Sequence, residues 1–233
     1  MAKLNKTTNV TAHLNSLLIR YPVLEKISNE IMEAFVSLKT CYESSGKVII
    51  IGNGGSAADS HHIVGELMKS FIIKRPIDNI LSDKLKLIDY IRGSNLSTKL
   101  EMPLPAISLV SQCALTSAYN NDVDSDYVYA QLLLGYGQPN DILLCISSSG
   151  NSENIINAAI VAKARNIKLI GLTGNNGGKL NDFSDLIVKV PEYETYKIQE
   201  LHLPIYEENG KLINILLAGT RENFYEELKR YIK

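Results

Sequence analysis

Apolar residues recur at helical spacing over residues 8–20, at Val10, Leu14, Leu17 and Leu18, and again after Pro22, at Leu24, Ile27, Ile31, Phe35 and Leu38. Two amphipathic helices within residues 1–45 are therefore expected to lead the chain. The period then changes. Residues 47–51, 106–110, 141–146, 168–172 and 186–190 are short, continuous apolar runs rich in Val, Ile and Leu, each followed by turn residues. Such runs suit parallel strands covered on both faces, and the helix-length segments between them suit crossovers. The pattern predicts an α/β fold: one domain over residues 1–233, a doubly wound five-stranded parallel sheet with an N-terminal helical extension.

Two stretches break the rhythm. Residues 72–105 are polar and charged, contain Pro76, Pro103 and Pro105, and carry a helix-like segment over 83–91. A connection this long inside a domain reads as an insertion that is a lid or an oligomer contact. Near the C-terminus, Glu207, Glu208, Asn209 and Gly210 interrupt a helical pattern that resumes near Thr220, so residues 207–233 read as an atypical tail. The stripes on the leading helices are wider than a sheet already covered by its own crossovers can bury, which predicts a homo-oligomer, a tetramer.

Composition narrows the class. With 233 residues, 45% apolar and 21% charged, the chain can bury a core and is neither disordered nor fibrous. Lys plus Arg is 24 against 25 for Asp plus Glu, a net charge of −1. That balance leaves no electrostatic footprint for nucleic acid or an anionic membrane, so any bound anion must be held locally. Cys41, Cys113 and Cys145 are scattered and read as small buried hydrophobes in a reducing compartment. The polar first residues lack a signal-peptide core and no apolar run approaches the roughly 18 residues of a membrane helix, so a cytoplasmic protein is expected.

The chemistry concentrates in turns after strands. Gly52, Asn53, Gly54, Gly55 and Ser56 follow the first strand and open a helix, where glycines admit an anion to free N–H groups at the positive end of the helix dipole. Ser147, Ser148, Ser149, Gly150, Asn151 and Ser152 follow the third, offering hydroxyl donors at the carboxyl ends of the strands. Together the two turns favour a phosphate monoester. A Rossmann dehydrogenase would need an acidic residue at the end of the second strand, a place the insertion interrupts. Residues 174–179 are Gly-rich but lack Walker A spacing and read as structural. His62 and Glu66 share a helix face at i and i+4 and can ligate a metal or form an acid/base pair. Asp122 is a candidate hydroxyl acceptor; its surroundings lack the Gly and Glu of a calcium loop.

Taken in order, these residues, with Asn121, residues 172–179 and the run Glu194 to His202, resemble the sugar isomerase (SIS) domain of sedoheptulose 7-phosphate isomerases, also called phosphoheptose isomerases. The resemblance covers residues 8–206. It implies interconversion of sedoheptulose 7-phosphate and D-glycero-D-manno-heptose 7-phosphate by a homotetramer with intersubunit sites. It further implies that Ser56, Ser147, Ser149 and Ser152 hold the phosphate and that Asn53, Gly54, Gly55, Asp122, Ser148 and Gln199 contact the sugar. His62, Glu66 and Gln199 would bind a divalent metal, Zn2+, with Glu66 also the base. The family carries a second histidine eight residues after the glutamine, as ligand and acid/base group; here that position is Glu207, which then takes both roles as a carboxylate. The competing reading is a non-catalytic SIS protein, a phosphosugar-binding regulator or assembly partner, which has no need of metal ligands.

Overall fold

The five apolar runs pair as strands in a computed structural model that describes residues 10–70 and 73–218. They are β1 (Val48–Gly52), β2 (Ala106–Ser108), β3 (Ile142–Ser147), β4 (Lys168–Thr173) and β5 (Leu186–Lys189), all parallel, in the order β2-β1-β3-β4-β5. Every residue of β1 and β3 is buried, as expected of strands with helices on both faces. The chain winds in opposite directions from β1 and β3, and open α/β sheets leave a crevice at that switch point. Their register sets Gly52 opposite Ile146, which brings the two turns that follow level with each other. β2 is shorter than its apolar run because a 3-10 turn, Leu109–Ser111, takes over.

Helices cover both faces. α1 (Val10–Arg20), α2 (Ser28–Glu43), α3 (Gly55–Met68) and α9 (Thr195–Ala218) pack against the side of the sheet that carries Val48, Ile50, Leu144 and Ile146. α7 (Val128–Tyr136) and α8 (Glu153–Ala164) cover Ile49, Ile51, Leu143 and Cys145 on the other. Alternate strand residues thus feed two cores, the consequence of a period of two. α6 (Cys113–Asp122) precedes α7. Pro22 opens a 3-10 segment, Pro22–Ile27, ahead of α2, so the second predicted helix is split in two.

Three expectations are corrected, and the insertion takes shape. The stripes of the leading helices are covered within the chain: Leu17, Leu24, Ile31 and Phe35 are at most 1% exposed and join the core that holds Ile198, Ile205 and Ile213 of α9. They therefore demand no partner subunit. The insertion is a hairpin of two helices, α4 (Asn79–Ile88) and α5 (Tyr90–Lys99), hinged at Asp89, whose carboxylate accepts from the Arg92 N–H. Its root is tied at the amino-terminal end of β2, where the Arg75 guanidinium donates to the carbonyls of Met102 and Leu67, each at 2.9 Å. That is the end of the sheet opposite the Gly- and Ser-rich turns.

A second correction concerns α9, which runs unbroken through Glu207, Glu208, Asn209 and Gly210. A helical glycine costs only about 1 kcal/mol relative to alanine, and tertiary contacts outweigh it. Tyr206 and Ile213 are buried, and the Glu208 carboxylate is gripped from α1 by Arg20 Nη2 at 3.2 Å and His13 Nδ1 at 3.1 Å. Thr220, where the pattern resumes, lies outside the described residues. Finally, Cys41 and Cys145 are buried, but Cys113 stands exposed at the start of α6, a short helix with no buried residue.

Candidate active site

The turn after β1 is shaped by Gly54, whose φ of +56° and ψ of −121° suit glycine alone among common residues. It delivers the first turn of α3 at the carboxyl edge of the sheet, with Ser56 buried. The turn after β3 is held by its own hydroxyls. Ser147 Oγ accepts from the Gly150 N–H and Ser149 Oγ from the Asn151 N–H, both at 3.2 Å. Ser152 stands at the N-cap position of α8 and makes no side-chain cap bond there, which leaves its hydroxyl available to a ligand. The Gly-rich turn after β4 braces this loop. Gly174 N–H donates to Ser148 O, Lys179 N–H to Asn151 Oδ1 and Leu180 N–H to Gly150 O, at 2.9–3.0 Å. Its structural reading holds. Asn53 and Asn154 exchange two amide hydrogen bonds of 3.0 and 2.9 Å, joining the turns after β1 and β3 across the crevice.

Beside these turns α3 packs on α9, and the pairing assembles a polar cluster. His62 Nε2 lies 3.3 Å from Glu66 Oε1 and 3.4 Å from Glu207 Oε1. One ligand atom from each of the three residues falls within 4.8 Å of the others, close enough to share one cation. Glu66 and Glu207 are largely buried, and the half-exposed His62 ring faces solvent. Burial, reinforced by the negative charge of Glu207, pushes the Glu66 carboxyl above its ordinary range; His62 opposes the shift. Gln199, two turns before Glu207 on α9, lies against Gly55: a Cβ added there would stand 2.6 Å from Gln199 Nε2. The glycine turn is thus also the seat of the glutamine.

Asp122 is not drawn into this cluster. It ends α6, exposed, and accepts from its neighbour Asn121 Nδ2 at 2.7 Å. His202, three residues after Gln199, is fully buried, and burial lowers its imidazole to about 4 against a smaller opposing pull from the Thr173 backbone. It is a neutral core residue.

The SIS-domain family profile matches residues 89–174. The phosphoheptose isomerase of Shewanella loihica is 33% identical over 192 residues, which is 81% of this chain and 84% of that one. The chain belongs to the phosphoheptose isomerase family. The solved phosphoheptose isomerase of Francisella tularensis superposes with a TM-score of 0.69 at 27% identity, over 92% of this chain and 99% of that one. The Neisseria gonorrhoeae enzyme gives 0.65 at 28% identity, over 88% and 97%.

Three participants escaped sequence reasoning. Asn154 lies just past the serine run; Asp59 lies three residues before His62 on the same helical face; Tyr206 immediately precedes Glu207. The i, i+3 relation of Asp59 to His62 was a legible signal. Tyr206 had none, since an aromatic on an apolar stripe reads as core.

Proposed function

We propose that this protein is an aldose–ketose isomerase of the phosphoheptose type, converting sedoheptulose 7-phosphate to D-glycero-D-manno-heptose 7-phosphate. The observation that carries the reading is the convergence of His62, Glu66 and Glu207 beside two strand-to-helix turns built to receive an anion. Ser56, Ser147, Ser149 and Ser152, with the N–H groups opening α3 and α8, hold the phosphate. Asn53, Gly54, Gly55, Ser148, Gln199 and Asp122 are assigned to the sugar, Asp122 requiring the chain end of α6 to approach it.

One imidazole nitrogen and two carboxylates within 4.8 Å fit a divalent cation, and the Gln199 amide is the fourth donor of the set. Such an ion supplies Lewis-acid stabilisation of the oxyanion that develops as the carbonyl migrates. Glu66 takes a proton from C1 of the ketose and returns it to C2, and its raised affinity for protons suits that shuttle. Glu207 carries the hydroxyl proton from O1 to O2. Zinc is the expected metal, and because two carboxylates make a harder donor set than two imidazoles, manganese and magnesium are expected to substitute.

The protein is assigned to the cytoplasm as a homotetramer. No helix among the described residues is long and apolar enough to cross a membrane. The α4–α5 hairpin, with Leu87, Ile88, Tyr90 and Ile91 at least 74% exposed, is the surface that favours self-association. The test is to incubate the protein with sedoheptulose 7-phosphate, with and without added zinc, and follow the aldose by NMR. Metal-dependent aldose formation is expected. Neither turnover nor bound metal would replace this reading with that of a phosphosugar-binding regulator.

A further inference from the structure

Beneath His62 lies a second set of contacts that the proposed chemistry does not use. Tyr206, on α9, donates its hydroxyl proton to Asp59 Oδ1 at 3.0 Å, and the tyrosine oxygen itself lies 3.3 Å from His62 Nδ1. The two rings meet edge to face at 82°, centroids 5.7 Å apart, so the phenol meets the imidazole from one fixed direction. Asp59 is half-buried on α3, one turn before His62. Tyr206 is 7% exposed.

A phenol has one proton to donate. An ionised Asp59 can only accept, so that proton is committed to it, and the contact with His62 must run the other way, from Nδ1–H to the tyrosine oxygen. Neutral imidazole carries one N–H. With Nδ1 protonated, the lone pair sits on Nε2, the nitrogen that faces Glu66 and Glu207 at 3.3 and 3.4 Å. A lone pair opposite two carboxylates is costly in the metal-free protein, a cost that the committed tyrosine proton must outweigh and that a cation among them removes.

We propose that Tyr206 and Asp59 are positioning residues that fix the His62 tautomer, presenting the Nε2 lone pair to the cation site that the proposed function requires. The usual preference of a free histidine side chain is the opposite one, with the proton on Nε2, so the relay reverses an intrinsic bias. Outer partners of this kind orient metal-ligating histidines in general, and their loss weakens metal binding by about 10- to 100-fold. Here the partner comes from α9, the helix that also carries Glu207, so the packing that completes the ligand set also sets the histidine.

The inference rests on the metal-assisted reading, but its main test needs no metal. The chain has four histidines, and the His62 ring signals are assigned in long-range proton–nitrogen NMR spectra of the metal-free protein by their absence from His62→Gln. At a pH where the ring is neutral, the wild type is expected to show Nδ1 protonated. Asp59→Ala frees the tyrosine proton to turn towards Nδ1, and the tautomer is expected to switch to Nε2–H. Asp59→Asn, whose amide oxygen still accepts, is expected to keep the wild-type tautomer. Tyr206→Phe removes the acceptor and is expected to give the Nε2–H form, with zinc affinity measured by chelator competition falling about 10-fold or more.

A wild-type ring protonated on Nε2, or one tautomer common to wild type, Asp59→Ala and Tyr206→Phe, would overturn the proposal. Should Tyr206→Phe fail to fold, the contrast between Asp59→Ala and Asp59→Asn still decides it. Absence of zinc binding by the wild type would overturn the metal-assisted function instead, leaving the tautomer result to stand or fall by itself.

Discussion

Replacing Glu207 by glutamine is expected to move the stability of the metal-free protein and its affinity for metal in opposite directions. The carboxylates of Glu66 and Glu207 approach within 4.8 Å, with His62 touching both. Two unit charges at that separation repel by roughly 3.5 kcal/mol at an effective dielectric constant near 20, and solvent together with His62 reduces the net effect to about 1 kcal/mol. For a chain of this size that corresponds to a rise of about 2–4 °C in Tm.

The sign follows from Glu66, whose folded pKa is raised, first by burial and then by Glu207. Between its unfolded and folded values the native protein binds more protons than the unfolded chain, so stability falls as pH rises through that window. Removing the Glu207 charge shrinks the fall. A dication feels the same lost charge as lost attraction, so zinc affinity is expected to drop at least about tenfold, near 1.4 kcal/mol. Calorimetric melts in chelator from pH 4 to 8, with zinc titrations at neutral pH, measure both. A Glu207→Gln protein that is less stable without metal, or that binds zinc as tightly as the wild type, would refute the reasoning, because Glu207 would then be a structural partner of His62.

Gly55→Ala is expected to push Gln199 aside and lower turnover and metal affinity while the melting curve barely moves, since the group in the way is the end of a flexible side chain. Ser149→Ala is expected to weaken binding of a ketose phosphate about tenfold by calorimetry, the loss of one hydrogen bond to a charged group; an unchanged affinity removes Ser149 from the site. Glu208→Gln is expected to cost about 1–2 kcal/mol in urea melts, below the value for breaking a fully buried ion pair, because its partners His13 and Arg20 are 34% and 49% exposed.

The sheet was legible because a strand buried on both faces needs only a continuous apolar run, and the five runs at 47–51, 106–110, 141–146, 168–172 and 186–190 meet that demand locally. The two Gly- and Ser-rich turns were legible for the same reason: glycine and serine act on the few backbone groups beside them. His62 and Glu66 paired by helical spacing alone.

What the sequence left open lies where distant segments meet. Asn209 and Gly210 carry local signals for a helix end, yet α9 continues because its buried face packs on α1, α2 and the sheet, and Glu208 is held from α1. Tyr206 reads as a core aromatic until packing sets its hydroxyl on Asp59, 147 residues away along the chain. Whether Glu207 belongs with His62 and Glu66 was likewise undecided by any local rule. The sequence by itself determined the sheet, the turns and two of the cluster's side chains, since each depends on neighbours a few residues away. The packing of α3 on α9 alone decided the cluster's third side chain, Glu207, and the contacts of Tyr206 behind the histidine, because they exist only once two helices some 140 residues apart share a face.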